Sequence, residues 1–224
     1  MKPSIPLSPA SASSPAAASV SARADAASPF GATVPPAFDI KALYQQACSV
    51  AAPGKLVTVL HLGDECTLIA SGADAAAPSI VLTLALGRLK TARDFFRGDL
   101  PTPLELETAI AQVEDEVYAA HARHRQWVPP GALLVPCATD AALHGIATLA
   151  GVAGGPQRWL TMEGVERVFN RLVAVSQGRP AAHEGLPADA PFAAALLVLR
   201  ELMHHMPFHT LRLLPAATAR VGFE

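Results

Sequence analysis

Eight histidines are the side chains of this sequence best suited to hold a metal ion. His204 and His205 are adjacent on a predicted helix, where neighbouring side chains diverge by about 100° and do not readily share one ion. His121 and His124 are three residues apart and could supply half of a metal site. The simpler interpretation is that these histidines are exposed or partly buried polar residues near helix ends, and no metal is predicted.

Charged side chains and one cysteine offer further kinds of chemistry. An acidic run at residues 114–116 could form a catalytic pair, but it alternates with apolar residues along a helix, as a solvated face does. Cys137 precedes a predicted helix start, where the positive helix end could lower the pKa of a thiol. Because no base can be assigned to it, we interpret Cys137 as a buried structural thiol. The densest basic group, which could contact an anion or lie on a solvated surface, comprises Arg88, Lys90, Arg93 and Arg97.

Composition limits the kinds of partner that this chain can have. Of 224 residues, 51% are apolar and 16% are charged, and the net charge is −2. Nucleic acids and anionic membranes bind proteins that carry an excess of clustered positive charges. This chain has no such excess, so neither is an expected partner. Three cysteines without a C-x-x-C pair favour a reducing, cytoplasmic setting over a disulfide framework. The sequence contains no apolar run long enough to span a bilayer.

The sequence divides into a tail and one domain. Of residues 1–37, 26 are Ala, Ser or Pro, so few large side chains can offset the entropy of ordering. This stretch is predicted to be a disordered tail. Residues 38–224 have the length of a single domain.

The domain is predicted to begin with a short helix at residues 39–50 and a three-stranded antiparallel meander. Residues 55–62 and 65–71 alternate in polarity on either side of Gly63-Asp64, which is a hairpin signal. Residues 79–86 predict the third strand, and Gly87 ends it.

The second part is predicted to alternate helices with buried strands. A capping box at Thr102 and Glu105 starts a helix that runs to about residue 125. Thr161 is expected to cap another helix, and Asp189 with Pro191 to open a third, closed by Pro207. The remaining predictions are an apolar strand at residues 132–136, a small-residue helix at 139–151 and a last strand at 210–214.

This order of elements predicts an α/β fold. It is the order of one ribonuclease-H-like lobe of the actin/hexokinase type: three antiparallel strands, then parallel strands joined by helical crossovers, with an inserted helical segment.

Several stretches also carry a family resemblance. Residues 83–89 (TLALGRL), 93–96 (RDFF), 101–103 (PTP) and 196–203 (LLVLRELM) stand in this order along the chain. They resemble the exopolyphosphatase and guanosine-pentaphosphate phosphohydrolase family, Ppx/GppA, whose stretch after its second phosphate loop reads roughly SLPLGxVRLTERFF…PPSPEEL. The resemblance covers about residues 55–221 and implies only the second half of that two-lobed fold.

The resemblance implies remnants of a phosphate loop. Where the family reads Asp-x-Gly-Gly-Gly-Ser/Thr, this chain reads LHLGDECT at residues 60–67: Gly63 is kept, Asp64 and Glu65 stand at the other glycine positions, and Thr67 follows them. Two carboxylates beside a polyanion are repulsive, and bulkier residues restrict the approach of a phosphate to the backbone.

The other family motifs are also altered. A later Gly-Gly-Thr turn corresponds to a stretch that contains Thr139 and Asp140 and has no glycine. The family's catalytic glutamate corresponds to residues 48–55, which hold no carboxylate, so a base that activates water is missing. We therefore predict no catalytic residues.

The leading hypothesis is a non-catalytic Ppx/GppA-like scaffold or interaction protein without a cofactor. It is expected to be a homodimer or to bind a protein that supplies the missing lobe. The alternative is a phosphoanhydride hydrolase, or a binder of polyphosphate or guanosine pentaphosphate, that acts with a partner lobe and Mg²⁺.

Overall fold

The computed structural model describes residues 38–52, 54–155 and 158–215. The predicted disordered tail at residues 1–37 lies outside these ranges. Within them the chain forms six helices and six strands. In chain order the elements are α1 (Ile40–Ser49), β1 (Val57–Leu62), β2 (Thr67–Gly72), β3 (Ile80–Leu84), α2 (Arg88–Phe95), α3 (Pro103–His124), β4 (Cys137–Ala138), α4 (Ala141–Leu149), β5 (Arg158–Thr161), α5 (Met162–Ser176), α6 (Ala190–His205) and β6 (Thr210–Leu213).

The strands form one mixed sheet in the order β3-β2-β1-β4-β6-β5. β1 pairs antiparallel with β2, and β2 with β3, which confirms the predicted meander. β4 is parallel to both β1 and β6, as expected for strands joined by helical crossovers. β5 adds an antiparallel edge beside β6.

Side-chain alternation along β1 separates the two faces of this sheet. Leu60 and Leu62 face the main core, which also contains buried residues of α2 to α6. Val57 and Val59 face the opposite side, where they pack with Tyr44 and other buried residues of α1. The sheet is therefore covered by five helices on one face and by α1 on part of the other.

The predicted helix starts are confirmed by their caps. Thr102 and Glu105 form the complete capping box at the start of α3. Thr161 accepts a hydrogen bond from the amide of Gly164, and Asp189 accepts one from that of Phe192. Each cap satisfies amide groups that have no partner within the helix.

The predicted strand at residues 132–136 is placed too early, because β4 comprises Cys137–Ala138. The residue just before β4 does contact β6, where the amide of Arg212 donates to the carbonyl of Pro136 at 2.8 Å. Pro136 has no amide hydrogen with which to continue a ladder. Pairing with β6 is confined to Cys137 and Ala138, and pairing with β1 to Cys137.

A buried polar network joins α3 to the hairpin of β1 and β2. The Nε2 atom of His124 lies 2.9 Å from the hydroxyl of Ser71, which lies 2.9 Å from the hydroxyl of Thr58. His124 is fully buried, and its Nδ1 atom has no hydrogen-bond partner among the described residues. Burial, together with the nearby His121, lowers the pKa of His124.

We expect His124 to make the fold sensitive to acid. Because the pKa is lower in the folded state than in the unfolded state, unfolding takes up a proton as the pH falls below about 6.5, and stability is lost there. The slope should reach at most about 1.4 kcal/mol per pH unit. Urea unfolding of wild type and His124→Gln at pH 7.5, 6.5 and 5.5 measures it, with the exposed His183→Gln as the matched control. A wild-type slope that His124→Gln leaves unchanged would contradict this role.

Candidate functional site

The turn between β1 and β2 caps the start of α2. Gly87, which precedes α2, provides no side-chain cap. The carbonyl of Gly63 instead accepts from the amide of Arg88 at 2.9 Å, and the carbonyl of Asp64 accepts from those of Leu89 and Lys90 at 3.0 Å each. Three of the four amides that a helix start leaves unpaired thus find acceptors in the turn.

The acidic side chains of the turn reinforce this contact. Asp64 pairs with Arg88 at 2.8 Å from carboxylate oxygen to Nε. Glu65 receives two hydrogen bonds from Arg93, at 2.9 and 3.2 Å, in the bidentate geometry that suits guanidinium and carboxylate. Arg93 lowers the pKa of Glu65 through these bonds. The two acidic side chains of the turn therefore bind it to α2.

Three of the four members of the predicted basic group pair with carboxylates; the fourth, Arg97, lies after α2 and has no ion pair within the described residues. Besides Arg88 and Arg93, Lys90 pairs with Asp94 one turn further along α2. These pairs leave the cations of α2 without the concentrated surplus that an anion site needs.

Gly87 allows the turn to approach α2 closely. A Cβ atom at this position would lie 2.3 Å from the carbonyl oxygen of Asp64 and 2.4 Å from the carbonyl carbon of Glu65. Real Cβ contacts are not that short, so a side chain here would displace the turn. A glycine is required by space, since its backbone conformation is an ordinary extended one.

Thr67, another residue implied by the resemblance, is committed to the same region. It is buried, and its hydroxyl donates to the carbonyl of Leu86 at 2.6 Å. This bond ties the start of β2 to the segment that leads into α2. The hydroxyl is therefore used within the fold.

His61 and Asp140 link the ends of β1 and β4. The Nδ1 atom of His61 is hydrogen-bonded to one carboxylate oxygen of Asp140, the residue before α4. The ring of Phe38 stacks on that of His61 with centroids 3.5 Å apart. The second carboxylate oxygen of Asp140 is buried without a partner among the described residues. Of the two residues, only Asp140 was a candidate in the sequence; His61 lacked a signal because its partner is 79 positions away.

The remaining candidates lie apart from this site. His204 bonds to Glu166, and His205 lies 3.5 Å from Glu114, in a surface network of α3, α5 and α6. Among the described residues no group of three metal-ligating side chains could hold a metal ion. Cys137 is buried as expected, but burial raises the pKa of its thiol. The suggestion that a helix end lowers it is wrong.

The order of strands and helices defines the class of the fold. It is an α/β lobe of the actin/hexokinase type, as the sequence predicts. No family model matches the chain, and no curated protein matches it in sequence.

Solved structures show which proteins share this fold. The structure is similar to that of the Ppx/GppA family member from Aquifex aeolicus, with a TM-score of 0.61 and 16% identity over 78% of this chain and 57% of that one. It is also similar to an exopolyphosphatase from Cytophaga hutchinsonii, with a TM-score of 0.58 and 12% identity over 78% of this chain and 58% of that one. The predicted resemblance is confirmed at the level of the fold, and the chain spans less than three fifths of the length of these structures.

No helix within the described residues has both the length and the apolar character needed to cross a bilayer.

We expect Gly87→Ala to destabilise the protein by about 1–3 kcal/mol, the usual cost of forcing extra atoms into a packed site. Gly145→Ala in α4 is the matched control, because a Cβ atom there meets nothing within 4 Å. Alanine is the better helix former, so the control should be neutral or slightly stabilising. Urea titration of both variants measures the difference, and equal stability of the two would refute the close approach at Gly87.

Proposed function

We propose that this chain is a non-catalytic derivative of the Ppx/GppA-like fold that functions in protein association and needs neither a metal nor a cofactor. The observation that carries the proposal is the engagement of the β1–β2 turn with α2. By resemblance, this turn corresponds to the family's second phosphate loop. Here the carbonyls of Gly63 and Asp64 and the carboxylates of Asp64 and Glu65 all bind α2.

Electrostatics supports the same conclusion. A carboxylate about 4 Å from a phosphate oxygen costs about 1 kcal/mol even in water, and more where water is excluded. Binding a polyphosphate at the turn would also require the release of Arg88 and Arg93 from Asp64 and Glu65. Both the repulsion and the lost ion pairs oppose binding.

The stretch that corresponds to the family's Gly-Gly-Thr turn supports the proposal as well. In the family pattern, an aspartate that holds a metal opens the phosphate loop. This chain has His61 at that position, and the Nδ1 atom of His61 is hydrogen-bonded to Asp140. The two segments that would surround a phosphate are thus bound to each other.

The same pair favours a second candidate function, phosphohydrolysis with a partner that supplies the other lobe. A histidine that is oriented by a carboxylate is a common general base. The span of less than three fifths of the related structures is compatible with such a partner. An assay can separate the two candidates.

We expect the purified protein to release no phosphate from polyphosphate or guanosine pentaphosphate, with or without Mg²⁺. Loss of a general base costs about 10²–10⁴ in rate, and loss of a charge-stabilising donor costs about 10²–10³ more. Wild type is compared with Asp64→Asn/Glu65→Gln and with His61→Ala. Glu163→Gln, an exposed carboxylate in α5, is the matched control.

Turnover above background that His61→Ala abolishes would replace the proposal by the hydrolase. Turnover that changes only in the Asp64/Glu65 variant would show that the turn takes part in phosphate chemistry. Absence of turnover in all four proteins is the result expected of a non-catalytic fold.

A further inference from the structure

The outer face of α3 is a long and mostly exposed surface, on which the ring of Tyr118 also contacts that of His205 at 4.5 Å between centroids. α3 lies beside β3, the edge strand, and its buried stripe faces α6 and the sheet. The opposite stripe is exposed and contains two large apolar side chains, Leu104 at 73% exposure and Tyr118 at 51%. Its other members are small or polar, and include Thr108, Ala111, Asp115, Ala119, Ala122 and Gln126.

The charges on this face have a specific spacing. Glu107 and Arg125 are eighteen residues apart, which equals five turns of 3.6 residues. They therefore lie on one line along α3, at opposite ends. Both are exposed, and neither takes part in an ion pair with another described residue.

A two-fold axis perpendicular to α3 near Asp115 would place these charges opposite each other. Such an axis reverses the direction of α3 in the second copy, but a residue that lies on one side of the contact stays on that side. Glu107 of one copy then faces Arg125 of the other, and the reverse pair forms at the far end. Tyr118 faces Ala111 of the second copy, so that a large side chain meets a small one.

We propose that α3 is the interface of a homodimer in which two copies of this helix pack antiparallel about an axis at Asp115. The proposal rests on the function in protein association and names its partner, a second copy of this chain. Small residues at Ala111, Ala119 and Ala122 allow the helices to approach to about 8–10 Å. The charge pairs lie about 12–15 Å from the axis along the helix, so they stay in reach at a crossing angle of about 20°.

One feature of this arrangement is unfavourable, and it makes the geometry testable. Asp115 of one copy faces Asp115 of the other across the axis, and like charges at an interface weaken association. Asp115→Asn should therefore tighten the dimer. If Glu107 and Arg125 only matched the helix dipole, with an acid at the start and a base at the end, Asp115→Asn would not change the association.

The charge pair provides the decisive experiment. Sedimentation velocity at low ionic strength should show a monomer–dimer equilibrium for the full chain. Glu107→Arg and Arg125→Glu should each raise the dissociation constant about tenfold, because each replaces two attractive pairs by two repulsive ones. Mixing the two single variants, with one of them fluorescently labelled, should restore association as a heterodimer, and so should the double variant.

Glu163→Arg is the matched control, since it reverses an exposed charge in the first turn of α5. Circular dichroism and thermal unfolding verify that each variant is folded. A wild-type monomer at high micromolar concentration would overturn the proposal, and so would single variants whose mixture fails to associate. A dimer that none of the α3 variants affects would reject this interface and leave the proposed association intact, whereas phosphate release in the enzyme assay would reject the proposed function and leave the interface intact.

Discussion

The start of α2 has no cap of its own, and the fold supplies one from the turn between β1 and β2. The carbonyls of Gly63 and Asp64 accept three amide hydrogens of the first turn of α2, and two ion pairs reinforce the contact. Because α2 packs against α6 and α3, the turn also fixes one end of the helical layer over the sheet. Gly87 is the residue that permits the contact, since any side chain there would collide with the turn.

The same contact links fold to function. A phosphate loop needs free backbone amides, small residues and a surplus of positive charge. This turn has two carboxylates, and the arginines that could attract an anion are bound to those carboxylates. The His61–Asp140 pair closes the neighbouring end of the sheet in a similar way. By resemblance the β1–β2 turn corresponds to a phosphate loop, and in this chain it holds the fold together. We infer from this that the chain acts in association, through surfaces such as the outer face of α3.

Sequence signals were sufficient where the structure is local. The capping box at Thr102 and the alternation of β1 and β2 each depend on residues close in the chain, and each is confirmed. α2 was not predicted, because its sequence is mostly polar, only Thr91 and Ala92 are buried in it, and its cap comes from a distant turn. β5 was missed for a related reason: four residues form a strand only because β6, some fifty residues later, pairs with them.

The candidate site, too, could be predicted only where residues close in the chain carry the signal. Asp64 and Glu65 are candidates because, by resemblance, they stand at glycine positions of a motif. The basic group that contains their partners Arg88 and Arg93 was predicted either to contact an anion or to lie on a solvated surface. The bonds between them span more than twenty residues, and one-dimensional spacing does not reveal such pairs. His61 was not recognised at all, since neither its neighbours nor its period distinguish it until β1 and β4 lie side by side.

We infer that the β1–β2 turn does not bind phosphate, because its carbonyls and carboxylates are bound to α2. Amide NMR of the ¹⁵N-labelled chain, with tripolyphosphate and Mg²⁺ added to millimolar concentration, tests it most directly. We expect slow hydrogen exchange at the amides of Arg88, Leu89 and Lys90, and resonances of residues 63–67 that do not move during the titration. Fast exchange at those three amides, or a saturable shift of the turn resonances as tripolyphosphate is added, would contradict it.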